Sequence, residues 1–160
     1  MNRRRAGGVR LESSMGEALL QKWKRTAAPR RAPSVDYEGM EQAALFRWLQ
    51  VRHPLAFKLA YHVPNGGHRV KAVAAKLKAQ GVKAGVSDIC LPMARGGWFG
   101  LYIEFKATPP HDAVVSPSQT AFLMGVEQQG YMAIVCRGMD EAMQVIDGYL
   151  AHSPTRAVKG

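Results

Sequence analysis

Cysteine is scarce: the 160 residues hold only two, Cys90 and Cys136, each inside an apolar strand-like run. Both are expected to be small buried hydrophobes in a reducing compartment, not a disulfide. Long apolar runs are missing as well. The longest, Tyr131 to Cys136, is six residues, far below the ~18 needed to suggest a membrane span. Arg3-Arg4-Arg5 is followed by Ala-Gly-Gly and another arginine, so a secretory signal is not expected, and Glu12 and Glu17 argue against an Arg-rich transit peptide. These absences give the expectation of a soluble, intracellular (cytoplasmic) protein without a membrane partner. With 47% apolar and 21% charged residues in 17.5 kDa, the chain is long enough to bury one core without disulfide or zinc staples.

Acidic residues are few beside basic ones, and the net charge is +10. Residues 1–35 hold nine Lys/Arg against two acids, or +7, while residues 36–160 hold thirteen against ten, or +3. A basic arm of this kind is drawn to phosphate backbones by counterion release, or else serves as a solubilising tail. Within it Leu11, Met15, Ala18, Leu19 and Trp23 recur at helical spacing, and 27–33 reads as a linker. The expected organisation is an arm over 1–35, a domain over 36–152 and a tail over 153–160.

Periodicity gives a coarse order of elements. Glu41 to Arg52 carries Leu45, Trp48 and Leu49 on one face, a helix ended near Pro54. Phe57 to Val63 reads as a strand closed by the Pro64-Asn65-Gly66-Gly67 turn. His68 to Gln80 reads as a helix stopped by Gly81, and Asp88 to Leu91 as a short strand. Gly100 to Lys106 alternates, with Leu101, Ile103 and Phe105 one way and Tyr102, Glu104 and Lys106 the other. Pro117 stands at the first position of a helix to Gln129. Tyr131 to Cys136 is a strand, and Asp140 to Leu150 a helix with Ala142, Val145, Ile146, Tyr149 and Leu150 inward. The order α-β-α-β-β-α-β-α predicts an α/β fold, a mixed sheet flanked by helices.

Chemistry concentrates in Asp88 and in Glu104-Phe105-Lys106. Alternation puts Glu104 and Lys106 on one face, about 7 Å apart along the strand. If the Asp88 strand lies alongside, two carboxylates and an ammonium converge. Carboxylate oxygens suit a hard cation such as Mg²⁺, which polarises a phosphoryl oxygen and acidifies a bound water. A neighbouring lysine then steadies the developing negative charge. Set against this, Glu-x-Lys on a strand is usually a solvated ion pair, and an aspartate beside a turn often bonds only its own backbone.

The order and spacing of several motifs resemble the virus-type replication-repair nuclease (VRR-NUC) family of the PD-(D/E)xK superfamily. They are Glu41-Gln42, Val63-Pro64-Asn65-Gly66-Gly67-His68-Arg69, the 74–88 segment ending Gly85-Val86-Ser87-Asp88, Gly100 to Lys106, Ser116-Pro117-Ser118-Gln119, and Gly130-Tyr131. The resemblance runs from about Tyr37 to Leu150 and implies a PD-(D/E)xK-type, restriction-endonuclease-like core with a sheet of about four strands. It implies Asp88 and Glu104 as metal ligands, Lys106 as the catalytic lysine, Glu41 as a further acid from the first helix, and Gln119 close to the site. Mg²⁺ or Mn²⁺ is the implied cofactor. A DNA endonuclease on branched DNA, Holliday junctions in particular, acting as a homodimer, is the implied activity; an inactive DNA-binding module of the same fold is the alternative. The family usually has proline where Ser87 stands, which bears on backbone rigidity more than on reacting groups.

Some of these residues have structural explanations too. Ser116 and Gln119 spell a capping box, and an acid such as Glu41 in a first helical turn complements the dipole. Asn65-Gly66-Gly67 brings backbone near a phosphate or simply turns the chain. Asn65, Arg69, Lys71, Lys76 and Lys83 are candidate nucleic-acid contacts, although a charged helix face is the commoner finding. His62, His68 and His111 lack zinc spacing and read as surface or core histidines.

Overall fold

The structure, a computed structural model, describes residues 35–64 and 71–156. The expectations for the basic arm, with its 11–23 apolar stripe, for the Asn65-Gly66-Gly67 turn and for Arg69 lie outside these residues, as does the side chain of Lys71.

Helix α1 (Tyr37–Arg52) begins four residues before the expected Glu41 because Asp36 caps it, its Oδ1 accepting from Gly39 N at 2.9 Å. Pro54, expected only to end a helix, starts another. Helix α2 (Pro54–Leu59) has proline at its first position and Ala56 buried, which overturns the strand from Phe57: only Tyr61–His62 forms β1. Then come α3 (Lys71–Ala79), β2 (Ile89–Leu91), β3 (Leu101–Lys106), α4 (Pro117–Gln128), β4 (Met132–Arg137) and α5 (Met139–Ala151). The observed order is therefore α-α-β-α-β-β-α-β-α.

The four strands lie in chain order, β1-β2-β3-β4. β1 and β2, and β2 and β3, are antiparallel, with Ile89 opposite Ile103; β3 and β4 are parallel, with Glu104 opposite Val135. A parallel pair needs a crossover, and α4 supplies it. Helices packed on the sheet bury β3 on both faces. Leu101, Ile103 and Phe105 join Leu45 and Leu49 of α1 and Ala142, Ile146 and Tyr149 of α5 in one core. On the opposite face Tyr102 meets Phe122 of α4 edge-on, ring centroids 5.5 Å apart. Cys90 and Cys136 are buried free thiols, as their apolar surroundings suggested, and burial pushes Cys136 up to about 12. Among the described residues no helix is long and apolar enough to cross a membrane.

Candidate active site

Because both faces of β3 are covered, Glu104 and Lys106 are not the solvated pair that alternation alone allows. Glu104 is 0% exposed and Lys106 4%. Lys106 Nζ donates to Glu104 Oε1 at 2.6 Å. Asp88, just ahead of β2, is also buried; its Oδ2 accepts from Phe105 N at 3.1 Å, a bond that draws the aspartate to β3 between the other two residues. The structure thus brings Asp88, Glu104 and Lys106 together.

Gln119 has both of its sequence explanations at once. Its Oε1 accepts from Ser116 N at 2.7 Å and its N–H donates to Ser116 Oγ, closing the capping box of α4. Its Nε2 donates to Glu104 Oε1. One amide therefore ties the start of α4 to the buried carboxylate.

Glu41 lies elsewhere. Its carboxylate accepts from Thr108 N at 3.1 Å and Thr108 Oγ1 at 2.7 Å, anchoring the segment after β3. The acid of α1 that reaches the cluster is Glu38, one turn earlier, with Oε2 4.0 Å from Lys106 Nζ. The cue for it was Asp36: a helix capped there places Glu38, not Glu41, in the first turn. Asp36, Glu38, Gln42, His62 and Asp88 line a cleft of about 430 Å³ beside the buried pair. His62, read as an ordinary histidine, has Nδ1 2.9 Å from the Asp88 carbonyl oxygen. Lys76 and Lys83 are exposed.

Ser87 is fully buried, and its hydroxyl finds no partner among the described residues. The segment's conformation is set instead by Gly85, whose φ of +81° only glycine adopts readily and which packs against Ser118 and Gln119.

Burial dominates the electrostatics. It pushes Glu104 up to about 7; the charge of Asp88 adds to the rise, and Lys106 opposes it. Glu38 is raised by its own burial, with Lys106 again opposing. For Lys106 burial favours the neutral amine, yet its bond and charge pairing with Glu104, helped by Glu38 and Asp88, hold the ammonium above its ordinary value. A carboxyl whose folded pKa is raised binds more protons folded than unfolded between the two values. For Glu104 that window runs from 4.5 to about 7, and stability falls as pH rises through it. The metal-free protein is expected to lose at most on the order of 3 kcal/mol from this group between pH 4.5 and 7. Urea unfolding across that range reads it, against Glu104→Ala as reference. A wild-type curve parallel to that of the variant would refute the assignment.

Glu104 Oε2 is buried with no hydrogen-bond partner among the described residues. Such an atom is costly to leave unmet and is suited to a cation. Among the described residues no three His, Cys, Asp or Glu groups form a ready-made cage. A site of two carboxylates fits Mg²⁺ or Mn²⁺ better than a tighter cage would, since Mg²⁺ keeps several waters and is held by one or two carboxylates plus substrate phosphate. The oxygen donors of Asp88 and Glu104 therefore fit such an ion.

None of the curated proteins matches the chain. Among solved structures it is similar to a VRR_NUC domain protein, 28% identical, covering 79% of this chain and 98% of that one with a TM-score of 0.67. The VRR-NUC domain family matches residues 36–140, a span that contains Glu38, Asp88, Glu104, Lys106 and Gln119. The chain belongs to the VRR-NUC family and carries a nuclease-type domain.

Proposed function

We propose that the chain is a Mg²⁺- or Mn²⁺-dependent endonuclease that hydrolyses DNA phosphodiester bonds, with branched DNA such as Holliday junctions as substrate and a homodimer as the acting form. The observation that carries the reading is a fully buried glutamate with one oxygen unmet among the described residues, beside an aspartate and a charged lysine. Asp88 and Glu104 would hold the ion, with Glu38 in reach of the same cleft. When bound it would polarise a phosphoryl oxygen and lower the pKa of a coordinated water. Lys106, kept cationic by its carboxylate neighbours, would stabilise the charge that builds on the phosphate oxygens. Gln119 fixes the Glu104 rotamer, so the carboxylate need not reorganise. Paired cuts across a junction call for two sites related by a two-fold axis, which is the argument for the dimer.

Labelled four-way junctions and linear duplexes of the same sequence test this. Junction cleavage should require Mg²⁺ or Mn²⁺, stop with a chelator, and exceed cleavage of the duplex. Salt-sensitive binding with no product at any divalent concentration would replace the proposal with an inactive DNA-binding module.

A further inference from the structure

Helix α1 carries another residue next in the chain to those that line the cleft. Tyr37 lies between Asp36 and Glu38, two of the residues that line it. Its ring stacks on that of His111, centroids 3.9 Å apart and planes 9° from parallel. Both residues are exposed, Tyr37 by 40%. An aromatic pair left in water forgoes the apolar burial that is its usual use.

The pair is also held in place. His111 belongs to the segment that leaves β3 directly after Lys106. Thr108 is gripped by Glu41 at the near end of that segment, and Asp112 accepts from Arg137 Nε at 3.1 Å at the far end. His111 N donates to Thr108 O within the turn. The added Cβ of any other residue at Gly138 would collide with Thr108 Oγ1, so the anchor is closely fitted. This gives Glu41 a structural reason to be where it is. An exposed, flat, preset aromatic surface whose tyrosine directly precedes Glu38 of the cleft has one natural occupant on a nuclease, a nucleobase.

We infer that the Tyr37–His111 stack is a platform for the exposed base where the substrate's helical stacking is broken, next to the scissile phosphate. The inference rests on the nuclease reading and deepens it. Continuous duplex hides its base faces, whereas a junction, flap or bulge presents one, so the platform favours DNA with interrupted stacking.

The test places 2-aminopurine at the branch point of a four-way junction and follows its fluorescence on binding, beside cleavage kinetics. The wild type and Tyr37→Phe should quench the probe; Tyr37→Ala and His111→Ala should not. Each alanine variant should lower kcat/KM on the junction by roughly 5- to 150-fold, the range for one base–aromatic stack. An abasic nucleotide at the same place should lower wild-type kcat/KM comparably and leave Tyr37→Ala no further loss. Independent, multiplying losses, or full quenching by Tyr37→Ala, would overturn the platform. His111→Ala changes no residue of α1 or its cap and covers the case in which Tyr37→Ala misfolds. If the wild type cleaves nothing the nuclease reading fails by itself, while the fluorescence still decides whether a base sits on the pair.

Discussion

Glu104→Ala is expected to lower metal-dependent DNA cleavage by roughly 10³-fold or more, at or beyond the upper end of what losing one preorganised electrostatic group costs. Lys106→Ala should be as damaging by a different route. Without its ammonium, the charge that opposes burial at Glu104 is gone, and the carboxyl rises above the value of about 7 it has beside the lysine. The carboxyl is then mostly protonated at neutral pH, so this variant's residual activity should move to higher pH. Either single change also breaks a buried ion pair, which costs about 3–5 kcal/mol when one charge is stranded. Loss of activity in the single variants therefore needs a control for folding. The double variant Glu104→Gln/Lys106→Met removes both charges in similar volume and should unfold at higher denaturant than either alanine variant while remaining inactive. Circular dichroism with urea titration and junction cleavage read the two quantities separately. A double variant that cuts, or an alanine variant that cuts like wild type, would remove the catalytic assignment.

The candidate trio of Asp88, Glu104 and Lys106 was legible because strand periodicity and chain order carry it. Glu104 and Lys106 share a face in any β-strand that spans both, and Asp88 needed only its strand to pair with theirs. Their burial was not legible. A six-residue strand with alternating residues looks half solvated, and only the packing of helices on both sides of the sheet, α1 and α5 on one and α4 on the other, covers both faces of β3. The first half of the 57–63 segment, before β1, misled for the opposite reason. Phe57, Leu59 and Tyr61 alternate like a strand, but in so short an apolar run periodicity does not separate strand from helix, and Pro54 starting α2 settles it locally. The Asp36 cap, accepting from Gly39 N, brings Glu38 into α1 but does not decide whether it or Glu41 reaches the cluster. Residues three apart share a helix face, so only the packing of α1 shows that one acid meets Lys106 and the other Thr108.

Gly85→Ala should do more harm than its size suggests, and the comparison with Gly81→Ala shows why. Both glycines have positive φ, +81° and +95°, so each substitution incurs roughly 1–2 kcal/mol of backbone strain. At Gly81 an added Cβ meets nothing within 4 Å. At Gly85 it falls inside 3.0 Å of the Ser118 carbonyl and of Gln119 N, rigid backbone that has to move. That backbone is the first turn of α4, whose Gln119 side chain holds Glu104, and the other end of the same short segment is Asp88. Displacing it disturbs both candidate metal ligands without touching either. Gly81→Ala is expected to retain near-wild-type cleavage, whereas Gly85→Ala should lose on the order of 3 kcal/mol of stability, strain and overpacking together. Cleavage by Gly85→Ala should also fall by roughly 10- to 100-fold, as is typical when support behind a metal ligand is lost. Weaker Mn²⁺ binding measured by calorimetry, at temperatures where the variant is still folded, separates displaced ligands from simple unfolding. Equal effects of the two substitutions would mean that the contact between Gly85 and α4 does not position the site.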